Sequence, residues 1–446
     1  MEMPEEWRVE GNSESTCVNL QWWENLGDPV LNELIVTALQ NNKDLQVAIW
    51  KVCEFYAQFM IARSPLFPQI GLNASGVKER FSPSANFLPQ GINPVTPEYT
   101  FNFTLSYEID FWGQVRNASK AAYSEFLAQI ENRRTVVLTL VSAVAEAYIF
   151  LRQLDLELEI ALATLESRRE SLQIAKYRFE GGVTSEIEVT QAEFAYQDTL
   201  GSLKQLERLI PQQENLLSIL LGQNPGSILR GKSVYQLTLP KEVPMGLPSD
   251  LLERRPDILQ AENQLIAANA NIGVARAAFF PQISLTGLFG GDSFELKKVF
   301  TKGARTWQIG GTLLQQIFTG GALIGQLRVT EAQKEEAIFG YEQTILNAFR
   351  EVDDALIGHK KAKEEVIVRK AEVDALKEYL HLAWLRYYEG ETQYLTVLDA
   401  ERQLFAAEIQ QAETQGDLFT TLVQIYKALG GGWVVDADST LITKKE

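Results

Sequence analysis

Tyr99-Thr100-Phe101-Asn102-Phe103-Thr104-Leu105-Ser106-Tyr107-Glu108-Ile109-Asp110-Phe111 places its apolar residues on odd positions and its polar residues on even ones. A helix would scatter these side chains around its axis, whereas a strand sends them to two clean faces. A strand this long rises about 40 Å and, tilted by ~45°, crosses a hydrocarbon core of roughly 30 Å. Strands of water-soluble proteins are usually about half that length. The apolar side is aromatic at both ends, with Tyr99 and Phe101 at one and Phe111 and Trp112 at the other. Such aromatic girdles mark outer-membrane barrels, although one amphipathic strand also suits a soluble sandwich.

Further strands favour the membrane. Ile70, Leu72 and Ala74 alternate with Gln69, Gly71 and Asn73, and weaker alternations follow at Ile283, Leu285, Gly287 and Phe289, then at Trp307, Ile309, Gly311 and Leu313. Four membrane-length strands are therefore predicted, over about 68–82, 98–112, 281–290 and 304–318. Turn-forming loops join each pair, from Pro83 to Pro97 and from about Gly290 to Gly303. Four strands cannot close a barrel, and an open edge in lipid strands backbone groups at several kcal/mol each. Several chains must pool their strands; two copies or three both give an even-stranded barrel, and symmetry alone does not choose.

Outside the strands the sequence is helical and duplicated. Between Gln114 and Glu180 there is neither Gly nor Pro, and Val137, Leu140, Val144, Ala147, Leu151, Leu154, Leu158, Ala161 and Leu165 recur at spacings of three and four. Such a seam packs on neighbouring helices, and an unbroken helix of that length reaches about 100 Å. Ile338, Tyr341, Ile345, Ala348, Val352 and Ala355 form a second seam, interrupted by Gly325, Gly340 and Gly358. Phe67-Pro68-Gln69-Ile70 returns as Phe280-Pro281-Gln282-Ile283. Arg178-Phe179-Glu180-Gly181-Gly182-Val183-Thr184 returns as Arg386-Tyr387-Tyr388-Glu389-Gly390-Glu391-Thr392. One unit is present twice. In each, a long helix ends in a Gly turn and a second helix runs back, with Thr or Ser before it as the expected cap.

Composition narrows the function. The chain has 446 residues and a net charge of −17, which argues against a nucleic-acid partner. The most apolar helical stretch, Thr135 to Leu151, contains Glu146, so a helical membrane span is not expected. Cys17 and Cys53 have no metal-type spacing, and His359 and His381 are the only histidines. Gly430-Gly431-Gly432 follows a helix and lacks the strand that precedes a phosphate loop. No enzyme activity, metal or cofactor is predicted.

Three motifs carry a family resemblance. Trp22-Trp23, Asp28-Pro29, Leu34-Ile35, Ala38-Leu39, Asn42 and Asp44-Leu45 open the chain; Gly246 to Ile258, containing Leu252-Glu253-Arg254-Arg255-Pro256-Asp257, runs with Ala275-Arg276-Ala277-Ala278-Phe279-Phe280-Pro281 through its centre; Tyr426-Lys427-Ala428-Leu429-Gly430-Gly431-Gly432-Trp433 ends it. From about Leu20 to Val435 the chain resembles the TolC-like outer-membrane efflux channels of the branch that works with resistance-nodulation-division pumps. The resemblance implies a mixed α and β membrane protein: a homotrimer with a 12-stranded β-barrel in outer-membrane lipid and a 12-helix α-barrel in the periplasm. It further implies a periplasmic adaptor and an inner-membrane pump as partners.

The expected organisation is an N-terminal belt segment (1–30), a first repeat (31–223), a belt connector (224–250), a second repeat (251–428) and a C-terminal tail (429–446). The hairpin turns match the tip where adaptors dock, so Gly181, Gly182, Val183, Thr184, Gly390, Glu391 and Thr392 are the implied contacts. Leu395-Thr396-Val397-Leu398-Asp399-Ala400 matches the segment that constricts the closed tip. Asp399 stands at a gate carboxylate and Tyr387 at a gate-side aromatic, while Thr396 replaces a second carboxylate of some relatives. Tyr99, Phe101, Phe103, Leu105, Tyr107, Ile109 and Phe111 are the expected lipid face. The branch is commonly lipidated on a Cys after a signal sequence; Met1 to Cys17 has no apolar signal core, and Cys17 does not resemble that site. Two other readings stand beside efflux: the conduit of a type I protein secretion system, and a long-helix scaffold that transports nothing.

Overall fold

The computed structural model describes residues 7–8, 21–82, 94–240 and 248–431. Cys17, Trp433, most of the first strand loop and part of the connector lie outside them. The order is α1 (Pro29–Asn41), α2 (Lys43–Arg63), β1 (Gln69–Arg80), β2 (Val95–Glu108), α3 (Gln114–Glu180) and α4 (Glu186–Leu220). Then follow α5 (Leu251–Arg254), α6 (Pro256–Ala277), β3 (Gln282–Ser293), β4 (Arg305–Leu314), α7 (Ala322–Tyr388) and α8 (Tyr394–Ala428). The duplication is visible residue for residue in the hairpins. Helices α3 and α7 each have 67 residues, α4 and α8 each have 35, and both pairs start 208 residues apart.

The chain divides into two compact units, and each takes material from both repeats. One unit holds residues 50–130 and 260–342, including the sheet. Its strands run in the order β1-β2-β3-β4, all antiparallel, leaving β1 and β4 at the edges. The register pairs Ile70 with Leu105, Leu72 with Phe103, Phe103 with Phe289 and Phe289 with Trp307. One face is therefore apolar from edge to edge. The other carries Asn73, Ser75, Thr100, Asn102, Thr104, Ser284, Thr286 and Thr312, and is polar apart from Val77, Leu288 and Leu314. Ser75 and Thr100 share a hydrogen bond of 2.8 Å there. Most of these apolar side chains have no cover, Ile70 being 74% and Ile309 82% exposed, while Phe101 packs on Phe300 of the β3–β4 loop at 5.1 Å.

Two residues of the expected lipid-facing strand leave it. The ladder of β2 stops at Glu108, and although Ile109 N–H still reaches Ile283 O at 2.8 Å, Phe111 N–H turns back to Ile109 O. The reason is Asp110, whose carboxylate accepts from Val115 N–H (3.0 Å) and Arg116 N–H (2.8 Å) and so caps α3. Phe111 and Trp112 instead join Phe280 in an aromatic cluster, with Trp112 stacked on Phe280 at 4.5 Å. The fourth strand also stops early, at Leu314 rather than 318. The third runs past 290 to Ser293, through Gly290 and Gly291. A Cβ on Gly290 would meet Phe101 O and Asn102, and one on Gly291 would meet Val299 O, so only glycine admits that approach.

The other unit holds residues 1–49, 131–259 and 343–446. Its core is the seam of α3 with Trp22, Leu31, Ile35, Leu217, Phe419 and Tyr426, and Trp22 stacks on Tyr426 at 5.1 Å. One window of α3 is apolar enough to cross a bilayer, but 61% of it is buried within the protein, as a core seam would be. The motif residues act as clasps. Asp28 Oδ2 accepts from Tyr148 O–H and Lys232 N–H, both at 2.9 Å, joining the N-terminal segment, α3 and the connector. Arg255 reaches Glu351 (2.7 Å) and Ala428 O (3.0 Å), closing the end of α8.

Candidate functional site

The two hairpin turns have one backbone. Val183 N–H donates to Arg178 O (2.8 Å) and Gly182 N–H to Phe179 O (2.9 Å). In the second repeat Glu391 N–H donates to Arg386 O (2.9 Å) and Gly390 N–H to Tyr387 O (3.1 Å). This is the Schellman arrangement, in which the residue after the helix takes a left-handed conformation. Gly182 (φ 72°) and Gly390 (φ 79°) supply it. Gly181, Gly182, Val183, Gly390 and Glu391 are exposed, and Thr184 and Thr392 are half-buried.

Behind the turns lies a small core of Leu172, Ala175, Ala192, Ala383, Tyr387, Tyr394, Val397 and Ala400. The Tyr387 ring is buried, 5.5 Å from the Tyr394 ring and 4.7 Å beneath the Arg178 guanidinium. Its O–H donates to Glu188 of α4 at 3.0 Å. Burial, and then the Glu188 carboxylate, push this phenol up to about 12. Tyr387 therefore ties the end of α7 to α4.

Asp399 lies on a different face of α8. It accepts from Arg402 (2.9 Å) and Gln403 (2.5 Å), and its side chain is 37% exposed. It lines a groove of about 170 Å³ with Arg168, Asp198, Leu395, Leu398 and Arg402. Thr396 shares a 2.9 Å hydrogen bond with Thr392 and steadies the turn.

Sequence reasoning missed a buried charge cluster beside this groove. Arg168 is 2% exposed and donates to Ala195 O (2.9 Å) and Thr199 Oγ1 (2.5 Å), with Asp198 at 3.6 Å. Burial lowers its pKa, while the nearby Glu401 and Asp198 charges oppose that shift. Glu401 is 6% exposed and accepts from Ser171 at 3.4 Å; burial raises its pKa and Arg168 counteracts it. A signal was available. Ala161, Leu165, Arg168, Leu172 and Ala175 continue the spacing of the apolar seam, so Arg168 occupies a core position.

No group of three or more His, Cys, Asp or Glu residues fit to hold a metal is found among the described residues. Cys53 is exposed and has no disulfide partner among the described residues. A two-faced sheet with unpaired edges, carried on paired antiparallel helical hairpins, defines a membrane channel. The profile of the outer membrane efflux protein family matches residues 34–223 and 247–431, and the chain belongs to that family. It is 38% identical over 408 residues to the solvent efflux pump outer membrane protein SrpC of Pseudomonas putida, covering 92% of this chain and 86% of that one. To outer membrane protein OprJ of Pseudomonas aeruginosa it is 36% identical, over 93% and 86%. The Campylobacter jejuni CmeC channel superposes with a TM-score of 0.92 at 26% identity, covering 97% and 93%. The open-state MtrE channel of Neisseria gonorrhoeae superposes with 0.83 at 31%, covering 97% and 98%. The protein is thus an outer-membrane efflux channel, with its strands in the outer membrane and its helices forming a periplasmic tunnel.

Proposed function

We propose that three copies assemble around one axis, with β4 of each protomer pairing with β1 of the next. The observation that carries this reading is the sheet itself: one face apolar, one polar, and both edges unpaired. In lipid those edges cost several kcal/mol per unpaired group, and β4 lies antiparallel to an incoming β1, so closure continues the existing pattern. Twelve strands then form the barrel and twelve hairpin-helix positions the tunnel. The N-terminal segment and connector form its belt.

The tunnel receives small, largely apolar molecules from a periplasmic adaptor and an inner-membrane resistance-nodulation-division pump, which supplies the energy. The solvent and antibiotic efflux relatives support that substrate class. The adaptor docks on the exposed turns at Gly181, Gly182, Val183, Thr184, Gly390, Glu391 and Thr392. Asp399 provides the gate carboxylate, Arg402 holds it in the resting tip, and Tyr387 and Thr396 set the hairpin positions from behind. Three such carboxylates on a narrow axis favour cations.

Single-channel recording in planar bilayers tests this. Wild type should show a small cation-selective conductance that grows in Asp399→Ala and grows further when Tyr387→Phe is added. A folded trimer that never conducts would falsify the channel assembly, and an unchanged conductance in Asp399→Ala would remove that residue from the gate.

A further inference from the structure

The seven charged residues of the four strands sort by sign onto the two faces of the sheet. Lys78, Arg80 and Arg305 lie on the apolar face, in register with Pro97, Val95 and Gly291. Glu79, Glu98, Glu108 and Asp292 lie on the polar face. The three cations also cluster along the strands. Helices α2, α3, α6 and α7 all join the sheet at one end, and Lys78, Arg80 and Arg305 sit at the other, beside the strand loops. With the helices in the periplasm, that end meets the outer leaflet.

We propose that Lys78, Arg80 and Arg305 form a rim that binds the phosphates of the anionic glycolipid filling the outer leaflet. Cations on a lipid face are costly at mid-depth and nearly free at the interface. Here the apolar band of Ile70, Leu72 and Ala74 on β1, and of Leu313, Ile309 and Trp307 on β4, ends at these cations. All three are exposed, and none has an ion-pair partner among the described residues. Their charge is therefore unspent. No strand carboxylate shares their face; Glu98 and Asp292 of the opposite face reach Arg305 only across a cavity that Lys298 also lines. β1 and β4 are the edge strands, so the rim lies where neighbouring protomers would meet and a doubly phosphorylated headgroup can bridge two chains.

The test uses the delipidated, detergent-purified channel, titrated with bisphosphorylated lipid A, with its dephosphorylated form and with inorganic phosphate, and read by native mass spectrometry. Bisphosphorylated lipid A should bind, and the dephosphorylated form should bind far more weakly. Replacing Lys78, Arg80 and Arg305 by Gln should weaken binding roughly fivefold for each cation lost, whereas Glu79→Gln on the opposite face should change nothing. Equal binding of the two lipid A forms by wild type would overturn the proposal in favour of apolar contact alone. Displacement by millimolar inorganic phosphate would overturn it in favour of a free-anion site. If the triple variant fails to assemble, the wild-type comparison still decides. The channel function is separable, because conductance does not depend on this rim.

Discussion

The two hairpins share helix lengths, lag and turn geometry, yet their side chains have divided the work. Tyr387 corresponds to Phe179, Tyr394 to Glu186 and Thr396 to Glu188, at the common offset of 208 residues. The second repeat thus supplies a buried aromatic box, and the first supplies the carboxylate that receives its hydroxyl. Exposed Val183 at the first turn faces solvent where the second turn has Glu391, ion-paired with Arg386 at 3.3 Å. Duplication kept the backbone, whose hydrogen bonds set the shape. Divergence of side chains then made one copy depend on the other.

The largest asymmetry is Arg168, whose counterpart is Leu376. Removing one partner of a buried charge cluster costs about 3–5 kcal/mol because the other is left unpaired, while replacing both with neutral groups is often harmless. Arg168→Leu should therefore cost about 3–5 kcal/mol locally, and adding Glu401→Gln should restore most of it. Hydrogen exchange in α4 and α8 reads this directly. A single variant as stable as wild type would mean that the cluster is not coupled.

The turns should answer alike where the side chains do not. A Cβ at Gly182 or Gly390 meets nothing within 4 Å, so only the left-handed backbone penalises Val there. Roughly 1–2 kcal/mol is expected at each, against almost none for Gly181→Ala, whose φ is not positive. Unequal costs at Gly182 and Gly390 would show that the turns are not equivalent. A comparable effect follows at the aromatic box: Tyr387→Phe should lose about 1.5–2 kcal/mol of tip stability with its hydrogen bond to the half-exposed Glu188 carboxylate. The reciprocal Phe179→Tyr should be neutral, since Phe179 is 44% exposed. Exchange of the turn amides would separate these cases.

Much of this was legible because long periodic segments are strong signals. The 67-residue α3 and the apolar face of the sheet follow from spacing alone, whereas α7 runs unbroken through the glycines that interrupt its seam. What failed was local or distant. The alternation of Ile109 and Phe111 continues that of the strand, but Asp110 is spent on capping α3, and no periodicity shows that competition. The link from Tyr387 to Glu188 spans 199 residues, so only the folded chain brings the pair together.

The finest distinction between the repeats is pH. His359 on α7 occupies the place that Leu151 holds on α3, and both are buried. Its Nδ1 lies 3.2 Å from Thr421 Oγ1 of α8, beside the Leu418 backbone. Burial, and then the Lys363 charge, lower its pKa from 6.5 to about 4. Above pH 6.5 the imidazole is neutral in folded and unfolded chains alike, and its packing contributes in full. As pH falls from 6.5 towards 4 the unfolded chain takes up a proton that the folded one refuses, so stability is lost across that window. Buried carboxylates such as Glu401 act in the opposite sense, because a raised pKa makes the folded chain the better proton acceptor. Wild type alone therefore mixes the two contributions. The difference between wild type and His359→Leu isolates the histidine: the variant, made like the first repeat, should lose less stability between pH 6.5 and pH 4, measured by exchange in α7 and α8. Parallel profiles would mean that His359 protonates in place without opening the hairpin. The second repeat would then carry its histidine as freely as the first carries its leucine.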